Sequence, residues 1–252
     1  MANSEGGVQR ARSRKRQALN ERRLTKREVS RLLGAGAVRR RDLEAALSDA
    51  RVGLRPMRCY ELPENRVLWV FHEQESGLGG KGDIYTLDYS HRFVRWAHRV
   101  DADARAGRST SVSHWYHFSQ LRDALPGHAD ELVTQLRLAI VGSSSTLKMS
   151  YAGLDAASDY LESLGSERVE REWYDHLVAY VGEVIRVRTR GEWRIDRRQS
   201  PPYPYIAAPK HRAIMPINVV WSELAGLKPA DLRTEAANEV RRARGFLKSP
   251  NR

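Results

Sequence analysis

The sequence predicts an α+β fold: an N-terminal helical hairpin with a small antiparallel sheet, and C-terminal helices packed on a short β-meander. Three observations predict it. Apolar residues recur at the three-and-four spacing of a buried helix face, most clearly over Val169 to Val187, where Trp173, Leu177, Tyr180, Val181, Val184 and Ile185 fall together. Arg66 to His72 and Asp83 to Leu87 are short runs rich in branched and aromatic residues, the composition of paired strands. Beyond the turn at Thr189-Arg190-Gly191 the pattern changes again, to short extended pieces interrupted by Pro201, Pro202 and Pro204.

Taken in order, the chain opens with residues 1–23, a basic stretch almost without apolar side chains and expected to be disordered. Thr25 with Glu28 three residues on has the form of a capping box, followed by a stripe of Val29, Leu32 and Leu33. Gly34-Ala35-Gly36 breaks that helix, and a second places Leu43, Ala46 and Leu47 on one face. Helix, glycine turn and helix invite comparison with helix-turn-helix DNA readers, but Arg39-Arg40-Arg41 at the second helix's start oppose its macrodipole. A plain helical hairpin is the better reading.

The two predicted strands are joined by Ser76-Gly77-Leu78-Gly79-Gly80-Lys81-Gly82, which lacks the Gly-Lys-Ser/Thr of a P-loop and reads as a hairpin connection. Arg92 to Val100 fits a strand or a helix start, and Asp101 to Ser113 reads as loop. Leu121 to Ile140 has helical spacing in two pieces broken at Pro126-Gly127. Gly142 to Thr146 is the expected boundary between an N-terminal region, 24–141, and a C-terminal region, 147–247. Helices are then expected over Leu154–Leu164 and Val169–Val187, with Gly182 marking close approach by another element because glycine costs a helix about 1 kcal/mol. Glu192 to Ile195, Tyr205 to Ala207 and Ala213 to Val220 read as strands or strand-like arms, Trp221 to Leu224 as a helix start, and Ala230 to Arg244 as a last helix.

Composition narrows the function classes. No apolar run approaches the roughly 20 residues needed to span a bilayer, and no apolar segment follows the basic N-terminus as in a secretory signal. Cys59 is the single cysteine, so no internal disulfide forms, which suits the cytoplasm. The net charge of +12 is concentrated at the front: residues 1–27 carry nine basic side chains against two acidic ones. Arg12, Arg14, Lys15, Arg16, Arg22 and Arg23 are therefore candidate polyanion contacts, a solubilising extension being the alternative.

A second basic set, Arg186, Arg188, Arg190, Arg194, Arg197 and Arg198, alternates near Trp193, Tyr203 and Tyr205. Cations interleaved with aromatics suit single-stranded nucleic acid, whereas arginines snorkelling over a core form the structural alternative. Glu183 and Arg186 fall three apart on one helix and are expected to pair; a general-base role for Glu183 would need His176 or His211 beside it. His114 and His117 show no recognised metal-ligand spacing, no nucleophile elbow surrounds Ser143 to Ser145, and neither cofactor nor metal is expected.

The sequence Tyr180-Val181-Gly182-Glu183-Val184-Ile185-Arg186, with Gly191-Glu192-Trp193, Pro204-Tyr205-Ile206, Pro216 and Val220-Trp221-Ser222-Glu223-Leu224, resembles a pattern in small bacterial α+β domains. Some of these lie near contact-dependent toxin systems and a few look like immunity proteins. The resemblance covers about residues 150–228 and implies a fold more than an activity. Immunity proteins against nucleases are often acidic, and a pI of about 10.1 runs the other way. Two functions are thus expected: a non-enzymatic binder of nucleic acid or another polyanion, or a protein–protein module associated with immunity or defence.

Overall fold

Thr25 starts the first helix as its side chain allows: its hydroxyl accepts from the Glu28 amide while the Glu28 carboxylate accepts from the Thr25 amide at 2.8 Å. The computed structural model describes residues 24–48, 56–71, 79–108, 110–141, 147–225 and 230–245. The basic residues Arg12, Arg14, Lys15, Arg16, Arg22 and Arg23 and the segment Gly142 to Thr146 lie outside the described residues. The chain divides into two compact units, Met1–Gly107 and Arg108–Arg252, so the division falls ahead of the helices at 113–141 rather than at 142–146. The class is α+β, with a four-stranded antiparallel sheet in the first unit and a two-stranded one in the second.

In the first unit the order is α1 (Lys26–Gly34), β1 (Val38–Arg39), α2 (Arg41–Ser48), β2 (Pro56–Leu62), β3 (Arg66–Phe71), β4 (Gly82–Thr86) and α3 (Leu87–Arg105), with strands paired β1-β2-β3-β4. Alternation along β3 explains the layers. Val67 and Trp69 pack with Cys59, with Leu43 and Leu47 of α2 and with Phe93 and Val94 of α3. Leu68 and Val70 pack on the opposite face with Val29, Leu32 and Leu33 of α1. Because both faces are covered, β3 is a continuous apolar run rather than an alternating one. The two helices expected after the tail are present, but β1 separates them and they lie against opposite faces of the sheet, so they do not pair as the expected hairpin. The arginines at the start of α2 are neutralised locally: Arg39 by Glu44, and Arg40 by Asp42 and by Glu61 of β2.

Arg92 to Val100, open between strand and helix in the sequence, is the middle of α3, which Thr86 caps through a bond from the Tyr89 amide. α3 also takes in Asp101 to Arg105, expected as loop; Ala97, Val100, Asp101 and Asp103 are buried and extend its inner face.

The second unit contains α4 (Ser113–Phe118), α5 (Leu125–Val141), α6 (Tyr151–Leu164), α7 (Tyr174–Thr189), β5 (Glu192–Asp196), β6 (Tyr203–Ala207), α8 (Pro216–Ala225) and α9 (Leu232–Gly245). A π-helical turn, Val169–Trp173, leads into α7. Pro126-Gly127 does not break α5; Pro126 sits in its first turn, where a missing N–H costs nothing. Residues Pro216 to Val220, expected in a strand, begin α8 with Pro216 at its first position, while Ile214 keeps a single antiparallel bridge to Ile206. The meander is therefore the β5–β6 hairpin plus that bridge.

α7 organises this unit. Tyr174, Leu177, Val178, Tyr180, Val181, Val184 and Ile185 are all at most 1% exposed, so the helix is covered almost all round, by α5, α8, α9 and α6. Gly182 is where β5 comes closest: a Cβ there would stand 2.1 Å from two ring carbons of Trp193. The close approach predicted from glycine's helix cost is present. No helix among the described residues is long and apolar enough to cross a membrane.

Candidate nucleic-acid interface

The arginines of 186–198 run from the last turn of α7 through the αL turn at Arg190 and along β5, and most are already partnered. Arg186 clasps Glu183 at 2.7 Å, and Glu183, only 5% exposed, also accepts the Trp193 indole N–H at 2.8 Å. This pair ties α7 to β5, so Arg186 serves the fold. The expected Glu183–Arg186 ion pair is present, and the bonds of His176 go to Gln135 and of His211 to Pro209 instead of to Glu183.

The other five are exposed. Arg194 pairs with Glu192, Arg197 with Asp123 at 3.4 Å, and Arg198 with Asp196 at 2.8 Å, which holds the Asp196 carboxyl at about 2. Arg188 lies 4.3 Å from the Tyr151 ring centre, and Arg190 occupies the helix C-cap at φ 54°. Exposed ion pairs contribute about 0–1 kcal/mol, so a phosphate competes readily for these guanidinium groups. Trp193 packs into Gly182, and the half-buried Tyr203 turns its hydroxyl towards Asp196 at 3.4 Å.

The lower end of this ribbon meets a set that the sequence reading passed over. The Trp115 indole donates to the Pro202 carbonyl at 3.1 Å, and the Arg197–Asp123 pair adds a second tie, so the β5–β6 connection lies against α4 and the turn after it. There the guanidinium of Arg122 stands 4.6 Å from the centre of the Tyr116 ring, and that of Arg108 5.0 Å from the same ring. His117 is exposed with its ring edge-on to Tyr116. Arg122 is held at φ 50°, the left-handed region that arginine rarely adopts, by a bond from its amide to the Ser119 hydroxyl at 2.7 Å. Arg108, Arg122 and His117 thus meet at the Tyr116 ring, and Asp123, the residue after Arg122, holds Arg197. The sequence signal was the aromatic run from His114 to Phe118 flanked by arginines; only the bend at Ser119–Arg122 brings them to one ring.

His114 does not share this surface: it is buried, stacked on Trp221 at 5.3 Å. Among the described residues no group of three or more His, Cys, Asp or Glu is arranged to hold a metal ion. Cys59 is buried and its thiol is pushed up to about 12 by desolvation, so it is no nucleophile. Comparison with protein-family models, curated proteins and solved structures returned no match.

Proposed function

We propose that the chain is a non-enzymatic binding protein that takes a polyanion, nucleic acid foremost, on the arginine–aromatic surface of its second unit. The observation that carries this reading is the convergence of Arg108 and Arg122 on the Tyr116 ring, with Asp123, the residue after Arg122, holding Arg197. Guanidinium planes beside a half-buried ring suit unstacked bases, while the exposed arginines supply the phosphate contacts. The basic residues of 1–27 add a contribution that is independent of base sequence.

The test is fluorescence anisotropy with a labelled single-stranded oligothymidylate. Affinity is expected to fall about tenfold or more between about 50 and 200 mM salt. Tyr116→Ala removes a stacking platform worth about 1–3 kcal/mol, and Arg122→Ala is expected to weaken binding at every salt concentration. Affinity insensitive to salt, or both variants binding like the native chain, rejects the reading.

A second reading, recognition of a protein, is favoured by the Arg194–Glu192, Arg197–Asp123 and Arg198–Asp196 pairs, which present both signs of charge side by side. Co-purification with one protein at fixed stoichiometry after nuclease treatment supports it.

A further inference from the structure

Among the described residues the two sheets present four edges, and three of them are short or occupied. β1, at one side of the first sheet, is two residues long. At the other side Leu24 exchanges two backbone bonds with Gly82 of β4, at 2.8 and 3.2 Å. In the second sheet Ile214 does the same for β6, exchanging bonds with Ile206 at 2.8 and 3.1 Å. The fourth edge, that of β5, is five residues long and has no strand beyond it among the described residues. An open row of N–H and C=O groups is a template for another strand, which proteins ordinarily blunt.

Which groups point outward follows from β6. Because Ile206 turns its N–H and C=O towards Ile214, its neighbour Trp193 stands at a non-hydrogen-bonded position of the β5–β6 ladder. Glu192, Arg194 and Asp196 then bond to β6 through their backbones, and the backbone groups of Trp193 and Ile195 point the other way. Pro204, which has no N–H to give, lies opposite Ile195 and fits this phase. Trp193 and Ile195 are half-buried, and α7 and α8 pack on β6, so β5 is the outer strand of the hairpin. On its solvent side Glu192 and Arg194 are exposed, and Asp196 and Arg198 follow, so the sign of charge alternates at every second residue.

That alternation is self-complementary in an antiparallel pair. With Trp193 opposite Trp193 of a second copy, each Glu192 stands opposite an Arg194 on the same face. The Glu192–Arg194 pair present in each chain is kept, and two such pairs form a square of alternating sign. The two Trp193 backbones exchange their N–H and C=O bonds, and each Ile195 N–H meets the Gly191 carbonyl of the other chain. Sliding one copy until Trp193 faces Ile195 keeps the backbone bonding but sets Arg194 against Arg194 and Glu192 against Asp196. Charge therefore selects the first register.

We infer that β5 is an interaction edge for a second copy of this chain, the two hairpins joining into one antiparallel sheet of order β6-β5-β5-β6. The joined edges are short, so the dimer is reversible, with a Kd at or below about 100 μM. The inference does not rest on polyanion binding, and the full chain is treated with nuclease before measurement. Sedimentation velocity from about 1 to about 300 μM protein brackets that constant. Arg194→Glu and Glu192→Arg, both at exposed positions, each set like charges opposite and are expected to weaken the dimer about tenfold. The double exchange Glu192→Arg with Arg194→Glu recreates the complementary ladder and is expected to restore it. Ile195→Pro removes an outward N–H and no bond to β6, and is expected to leave a folded monomer by far-UV circular dichroism. A chain that is monomeric throughout that range, a dimer that both single exchanges leave intact, or a double exchange no tighter than the singles overturns the inference.

Discussion

His114 is 3% exposed, lies nearly parallel to Trp221 and bonds the backbone of Ile217. Burial pushes its pKa down to about 3, so the folded chain holds it neutral where the unfolded chain protonates near 6.5. Between those values the unfolded state binds the extra proton, so stability is full above about 6.5 and is lost as pH falls towards 3. The loss is at most about 1.4 kcal/mol per pH unit. Urea midpoints are expected to drop from pH 7 to 5, and His114→Gln to flatten that slope. Part of the slope persists in the variant because burial also lowers His176. An unchanged slope would show that His114 takes up its proton in the fold. Asp42 and Asp196, held at about 2 by Arg40 and Arg198, act lower: their contribution is present above about 4 and disappears as pH falls through 2.

At the level of elements, α7 and β5 meet through one missing side chain. The Trp193 ring lies where a Cβ on Gly182 would stand, and its N–H bond to Glu183 keeps it from retreating. Gly182→Ala gains about 1 kcal/mol of helix propensity, but overpacking costs about 1–3 kcal/mol, and a 2.1 Å approach to a rigid ring belongs at the upper end. A net loss of about 2 kcal/mol is expected by chemical denaturation, partly recovered by Trp193→Leu in the same chain. A Gly182→Ala protein as stable as the native one contradicts the packing described. That contact was legible because glycine conflicts with its own helix, and local conflict points to tertiary cause. Pro216 and Pro126 misled for the reverse reason: a proline that interrupts a helix also opens one, and composition alone does not say which side of it the helix lies. Tyr116 and Arg122 were invisible as a pair because their meeting depends on one left-handed residue, Arg122 itself.

On the scale of the whole molecule the question is how a charge of +12 is divided between the front of the chain and the folded surface. Residues 1–23 hold seven arginines and lysines, whereas the arginine surface of the second unit is interleaved with Glu192, Asp123 and Asp196. Counterion release assigns each engaged cation a fixed share of the salt dependence, about 0.7 in the logarithmic slope for single strands. Deleting residues 1–23 is therefore expected to lower that slope, by at most about 5 if every one of the seven cations meets a phosphate. The stacking part does not depend on salt, so Tyr116→Ala is expected to shift affinity by the same factor with or without the deletion. The four proteins — native, truncated, Tyr116→Ala and both — measured with one oligothymidylate at several salt concentrations separate the two contributions. A truncated chain that no longer binds at low salt leaves the folded surface without a role, and a truncated chain with the native slope leaves the front of the chain without one. Additive losses, with a residual slope that Arg122→Ala reduces further, place the anion on both.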